Sequence, residues 1–167
     1  MSSAQIKNRV VITGLGVVAP NGVGLNEFNK AIQEGTSGIS FHQNLKDKGF
    51  SCCIGGIPEV SEEKKLEYLS PLQLRGFNST SILYGVMAGV DAWKDAGFTV
   101  DNNSDLDYDS GLIFGTGTSG IEKFRESIYK IDDNNVRRLG STSVVQTMAS
   151  GISAYLGGIL GLGNQVT

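Results

Sequence analysis

Histidine, cysteine and proline are scarce in this 167-residue sequence, which holds one, two and three of them. The two cysteines, Cys52 and Cys53, are adjacent. That spacing does not suit an ordinary structural disulfide and fits a reducing compartment. The one histidine, His42, has no serine or cysteine elbow near it in sequence, so it defines no nucleophile and base pair. Basic residues are outnumbered, 14 Lys and Arg against 17 Asp and Glu, for a net charge of -3. Without a basic excess to neutralise phosphates, binding nucleic acid by bulk electrostatics is excluded. No apolar stretch of signal-peptide length precedes the first apolar run in MSSAQIKNRVV, and a cytoplasmic location is expected. Metal-ligand spacings are missing too: Asp101, Asp105 and Asp107 lack the Gly and Glu of an EF-hand loop and read as solvated. No metal or cofactor is expected.

Glycine is what the chain has in excess. Its 23 glycines are nearly double the usual share of about 7% and, with so little proline, imply tight turns and close backbone contacts. Arg9–Thr13 (RVVIT) reads as a buried strand ending at Gly14, followed by the loop GLGVVAPNGVG. From Leu25 the spacing is helical, with Leu25, Phe28, Ala31 and Ile32 on one face and Gly35 as the stop. Residues 37–60 are irregular with short extended pieces. Ser61 caps a helical turn, and Pro71 is a break or the first position of another helix. Ile82, Val86, Gly89, Val90 and Trp93 mark a strong helix from Ser79 to Ala96, closed by Gly97. GLIFGTGTSG, residues 111–120, reads as a buried strand entering a glycine-rich turn. Residues 121–131 read as an amphipathic surface helix and 132–143 as a polar, partly basic link.

Val144 to Gly163 carries no charge over twenty positions, the length of a membrane span. Its small residues, Gly151, Ala154, Gly157, Gly158 and Gly161, favour instead a buried helix in close contact with a second helix, and no second such helix is found in the sequence, so this one is expected to be unpaired within the 167 residues. The order of elements is that of an α/β layered fold. Gly14, Gly16 and Ala19 fit the dinucleotide fingerprint G-x-G-x-x-A, but Pro20, Asn21 and Gly22 fall where its helix should begin. A nucleotide-binding α/β domain stays the weakest alternative. GTGTSG could cradle an anion through its amides but lacks the lysine of a P-loop. Its glycines require that a ligand or a neighbouring strand approach the backbone.

Five segments in order, RVVITGLGVVAPNGVG, AIQEGTSGISF, the helix ending DAWKDAGF, IFGTGTSG and VVQTMASGISAYLGGILGLG, resemble the amino-terminal half of the β-ketoacyl synthases of the thiolase superfamily. SFHQNLKDKGF and MASGISA resemble the bacterial type I branch. The resemblance implies an α/β, thiolase-like αβαβα layered fold, of which residues 1–167 are the amino-terminal part of a duplicated architecture. It implies a dimer and an acyltransferase activity, decarboxylative Claisen condensation of acyl and malonyl thioesters carried on acyl carrier protein, in fatty acid or polyketide biosynthesis. Backbone amides in such enzymes hold the oxyanion beside an activated cysteine.

The family's nucleophile follows the strand that GNQVT resembles, and its two histidines lie in the other half. Cys52, Cys53 and His42 therefore receive no catalytic role, and the 167-residue chain is expected to be inactive alone. Thr116, Gly117, Thr118 and Ser119 match the loop beside the acyl pocket near the dimer interface. Arg75 matches a basic position that meets the acidic carrier protein, with Arg137 and Arg138 adding to that patch. The plain alternative for each arginine is a solvated side chain. RGFNS departs from the family at Gly76, which leaves the geometry there open. A rival of another class is a non-catalytic synthase-like partner, the chain-length factor, forming a heterodimer in place of a homodimer.

Overall fold

The computed structural model describes residues 9–100 and 105–167; Asp101, weighed above as a calcium ligand, lies outside them. Its centre is a pair of packed helices. In chain order the helices are α1 (Leu25–Glu34), α2 (Gln43–Asp47), α3 (Glu62–Lys65), α4 (Pro71–Leu74), α5 (Thr80–Asp95), α6 (Ile121–Asp132), α7 (Ser143–Thr147) and α8 (Gly151–Leu160), with a 3-10 turn at Val136–Arg138. Two antiparallel hairpins accompany them, β1 (Val18–Ala19) with β2 (Gly22–Val23) and β3 (Ser40–Phe41) with β4 (Ile54–Gly55). No helix of the described residues is long and apolar enough to cross a membrane.

Local chemistry sets the helix ends. The Ser61 hydroxyl accepts from the Lys64 amide, and Ser70 and Gln73 form a reciprocal capping box with Pro71 at the first helical position. Gly35 closes α1 in the left-handed conformation. On α5 the apolar positions fall at steps of three and four, burying Ile82, Leu83, Val86, Met87 and Val90 against Leu69 of the α3–α4 link and Ile152 and Leu156 of α8. Each such side chain contributes about 2 kcal/mol by leaving water.

The uncharged segment, expected to lack a partner in this chain, has one, and it is α5. Gly85 and Gly89 make the seat: a Cβ on either would lie 2.6 Å from Ile152 Cγ2 or 2.2 Å from Leu156 Cδ2. The twenty-residue run is not one helix. It divides into α7 and α8 where Met148 turns extended, and α8 leaves Ala154 and Gly158 exposed while burying Gly151, Ser153 and Gly157.

The two expected buried strands differ from expectation. Arg9–Thr13 pairs with no strand among the described residues, and Val10 and Ile12 stand 96% and 83% exposed. The chain becomes fixed only at Gly14 and Gly16, which lie flat on α5; an added Cβ would fall 2.2 Å from the Ala92 carbonyl and 1.9 Å from that of Ala88. A hairpin, β1–β2, follows these glycines, occupying the place where a dinucleotide fold would start a helix. Residues 107–114 and 161–167 run parallel, bridged at Asp107 with Leu162 and at Leu112 with Val166. Ile113 nevertheless points outward, 83% exposed. These pairings are shorter than the layered sheet implied by the family resemblance.

Candidate functional site

Three segments singled out in the sequence surround α6. The first is the glycine-rich loop. The Thr116 hydroxyl donates to the Thr118 carbonyl at 3.0 Å, Gly117 and Thr118 are exposed, and Ser119 is buried. Ser119 Oγ and Ser81 Oγ lie 3.2 Å apart, and the Gly120 amide donates to Ser81 Oγ at 3.3 Å, so the loop is tied to the first turn of α5. Of its glycines, Gly115 and Gly117 face open space, whereas Gly120 (φ +65°) abuts backbone, where a Cβ would lie 1.7 Å from the Gln146 carbonyl. A protein segment, α7, makes the close approach at Gly120.

The second segment is the turn after α4. Arg75 is exposed, and Gly76 is left-handed (φ +73°) with nothing near its Cα, which settles the local geometry. The Gly76 carbonyl accepts from Lys123 Nζ at 2.9 Å and from Gln146 Nε2 at 3.4 Å. Two residues on, the Asn78 amide donates to Gln146 Oε1 at 2.7 Å and its side chain donates to Glu126 Oε2 at 2.8 Å. The third segment is the 3-10 turn, where Arg137 and Arg138 are both exposed. There Lys130 Nζ donates to the Arg138 carbonyl at 2.9 Å.

Helix α6 holds these pieces, and it does so inside out. Sequence periodicity pointed to an amphipathic surface helix, with its charges facing solvent. Instead Ile121, Phe124, Ile128 and Ile131 are exposed while Lys123 is 2% exposed, and Glu126, Ser127 and Lys130 are half-buried beside it. Glu126 Oε1 accepts from Lys123 at 3.1 Å and also from Lys130. These hydrogen bonds, from Lys130 first and then Asn78, with Lys123 adding both a bond and its charge, hold the Glu126 carboxyl down to about 2. Lys123, Glu126, Lys130 and Gln146 were missed in the sequence. The available signal was the spacing of three and four between Lys123, Glu126 and Lys130, a charged stripe as regular as the apolar one.

Arg75 also borders a cleft of about 1160 Å³ with Leu66, Tyr68, Lys94, Tyr155 and Ile159. Neither the Thr116–Ser119 loop nor Arg137 and Arg138 reach this cleft, so the structure does not gather the sequence-predicted residues into one cavity. On its wall the Tyr68 hydroxyl donates to Asp91 at 2.8 Å, and burial together with that carboxylate pushes the phenol above its ordinary range. The thiols and the imidazole lie elsewhere. Cys53 donates to the Phe50 carbonyl at 3.2 Å, and His42 Nε2 lies 3.1 Å from the Gly55 carbonyl across the β3–β4 hairpin. Both serve the hairpin's backbone.

The family profile described as "Beta-ketoacyl synthase, N-terminal domain" matches residues 7–164. The 3-oxoacyl-[acyl-carrier-protein] synthase 1 of Escherichia coli K12 is 31% identical over 155 residues, covering 89% of this chain and 36% of that protein. Among solved structures, a β-ketoacyl synthase from Burkholderia phymatum STM815 superposes with a TM-score of 0.75 at 24% identity, over 95% of this chain and 38% of that one. A type II polyketide ketosynthase in complex with its acyl carrier protein, AntDE:AntF, gives a TM-score of 0.67, also at 24% identity, over 95% of this chain and 37% of that one. The chain thus spans little more than a third of the relatives it matches. By its match to the family profile from residue 7 to residue 164, this chain belongs to the β-ketoacyl synthase family and corresponds to that family's N-terminal domain.

Proposed function

We propose that this chain is the amino-terminal part of a 3-oxoacyl-acyl-carrier-protein synthase. The complete enzyme joins an acyl thioester to a malonyl thioester. The acyl carbonyl carbon leaves its thiol for a cysteine, malonyl carrier protein loses CO₂, and the resulting carbanion displaces the cysteine to give a 3-oxoacyl thioester. The observation that carries this reading is the match to the family domain over residues 7–164. The likeness to a ketosynthase held in complex with its carrier protein supports the choice of partner. In the complete protein we place the domain within the five-layered αβαβα architecture of a cytoplasmic dimer.

Within that reading, Arg75, Arg137 and Arg138 receive the acidic carrier protein. All three are exposed, and one helix, α6, binds the carbonyl of Gly76, next to Arg75, and that of Arg138. Long-range attraction between the two partners speeds encounter and fixes register. Thr116, Gly117, Thr118 and Ser119 border the acyl pocket, where the exposed Thr118 shapes chain-length preference and the buried Ser119 anchors the loop. Cys52, Cys53 and His42 match no catalytic position of the family, so the nucleophile is placed outside them.

The test supplies acyl and malonyl carrier proteins to the full-length polypeptide that carries this domain, and in parallel to the 167-residue chain. Mass spectrometry should find 3-oxoacyl carrier protein with the former and none with the latter. Product from the short chain alone, or none from a folded full-length protein, contradicts the proposal.

A further inference from the structure

We propose that Glu126 is a positioning residue for carrier-protein docking, fixing the Arg75 turn and the Arg137–Arg138 turn as one rigid basic face. The inference rests on the reading that these arginines meet an acyl carrier protein. It concerns a residue that touches neither carrier protein nor substrate.

The connection runs through side-chain hydrogen bonds. Glu126 Oε1 accepts from both lysines, and each lysine spends another proton on a backbone carbonyl of one arginine segment: Lys123 on Gly76 at 2.9 Å, Lys130 on Arg138 at 2.9 Å. The second oxygen, Oε2, accepts from Asn78 Nδ2 at 2.8 Å, fixing the far side of the Arg75 turn. One carboxylate thus sets the spacing between two loops that belong to different parts of the chain. Without it, Lys123 would be a cation 2% exposed and lacking its counter-charge. Such a group moves toward water, and the Gly76 carbonyl would keep only its longer bond to Gln146 Nε2, at 3.4 Å.

The Phe77 amide closes this turn on the Leu74 carbonyl at 3.1 Å, but Gly76 has no side chain of its own, so what fixes the turn against the rest of the molecule is the pair of bonds to its carbonyl. Loops that must be ordered on binding weaken it, whereas a preorganised pair does not carry that cost. The inverted orientation of α6 fits this role. Turning Ile121, Phe124, Ile128 and Ile131 outward makes sense for a helix whose charged face has loops to hold.

The deciding feature is the sign of the effect. Glu126→Gln removes a negative charge close to the arginines, so electrostatics alone predicts tighter binding of an acidic carrier protein. Positioning predicts weaker binding. The measurement is the Kd of acyl carrier protein for the full-length wild type, Glu126→Gln, Arg75→Ala and their double variant, alongside KM for a small acyl thioester lacking the protein. We expect Glu126→Gln to raise Kd about five-fold, to leave the small-thioester KM unchanged, and to blunt the effect of Arg75→Ala. Unchanged or tighter binding in Glu126→Gln, while Arg75→Ala weakens it, overturns the proposal and leaves the docking reading standing. An equal loss on both substrates also overturns it, marking a general structural defect. No effect from Arg75→Ala or Arg138→Ala defeats the docking reading itself. Should Glu126→Gln not fold, Glu126→Asp keeps the charge and shortens the reach; an unaltered carrier-protein Kd there overturns the positioning role.

Discussion

At Glu126 one carboxylate receives three side chains, and its ionisation is accordingly coupled to folding. The folded carboxyl sits at about 2, below the ordinary glutamate value near 4.3 that it regains when unfolded. A depressed folded value means that the native state holds the proton less tightly, so the stabilisation is complete above the unfolded value and fades as pH falls from about 4.5 toward 2. After allowance for its partial exposure, we expect about 2 kcal/mol at pH 7. Urea denaturation of wild type and Glu126→Gln should show that gap at pH 7, about half of it at pH 3 and little of it at pH 2; a gap that widens in acid contradicts the network. The glycines give a second residue-scale contrast. Gly16→Ala sets a methyl 1.9 Å from the Ala88 carbonyl, a clash with backbone that cannot swing away, and should cost about 3 kcal/mol. Gly115→Ala meets nothing within 4 Å and should leave the melting temperature unchanged. Calorimetry of the two variants separates glycine used for packing from glycine that is merely present.

The pairing of α5 with α8 is the element on which the domain's order depends. Gly89→Ala directs a Cβ to 2.2 Å from Leu156 Cδ2; the obstacle is the end of a side chain, so partial repacking should limit the loss to about 2 kcal/mol. A loss as large as that of Gly16→Ala would mean that α8 cannot adjust. Much of this element level was legible in the sequence. The steps of three and four through Ile82, Val86, Gly89, Val90 and Trp93 gave α5, Ser61 and Pro71 gave the starts of α3 and α4, and Gly35 and Gly97 gave two stops. Three features were not legible, each for a physical reason. Periodicity finds the two faces of α6 but not which one turns inward, because that depends on what covers the helix. Composition finds a small-residue helix but not that Gly85 and Gly89, in a different segment, form its seat. Apolar β-branched content marks Arg9–Thr13 as strand-forming, yet a strand is buried only where a neighbouring strand or layer exists to cover it. Arg75, Arg137, Arg138 and Thr116–Ser119 were proposed as site residues through resemblance to a family alone, whereas the Glu126 network, which links the Gly76 and Arg138 carbonyls, required coordinates.

Over the whole molecule, the accessible surface is 11793 Å². A compact folded protein of 17.7 kDa exposes about 7900 Å². Large apolar side chains stand exposed on this chain, among them Val10, Ile12, Ile113 and the outward face of α6, where a contiguous apolar patch would favour association. We therefore expect the 167-residue chain, prepared alone, to bind a hydrophobic dye such as ANS and to self-associate in sedimentation experiments, and the full-length protein to do the former much less. A monodisperse monomer that leaves the dye unbound would contradict that expectation. Exposure of this kind follows naturally if the domain works as one part of a larger condensing enzyme, which is the central claim. Its most direct test is a condensation assay with the full-length protein, acyl carrier protein and carboxyl-labelled malonyl carrier protein, following labelled CO₂ and the acyl chain together. The account predicts one labelled CO₂ released for each chain extended by two carbons. A folded protein that binds both carrier proteins yet releases no CO₂ and extends no chain would contradict it.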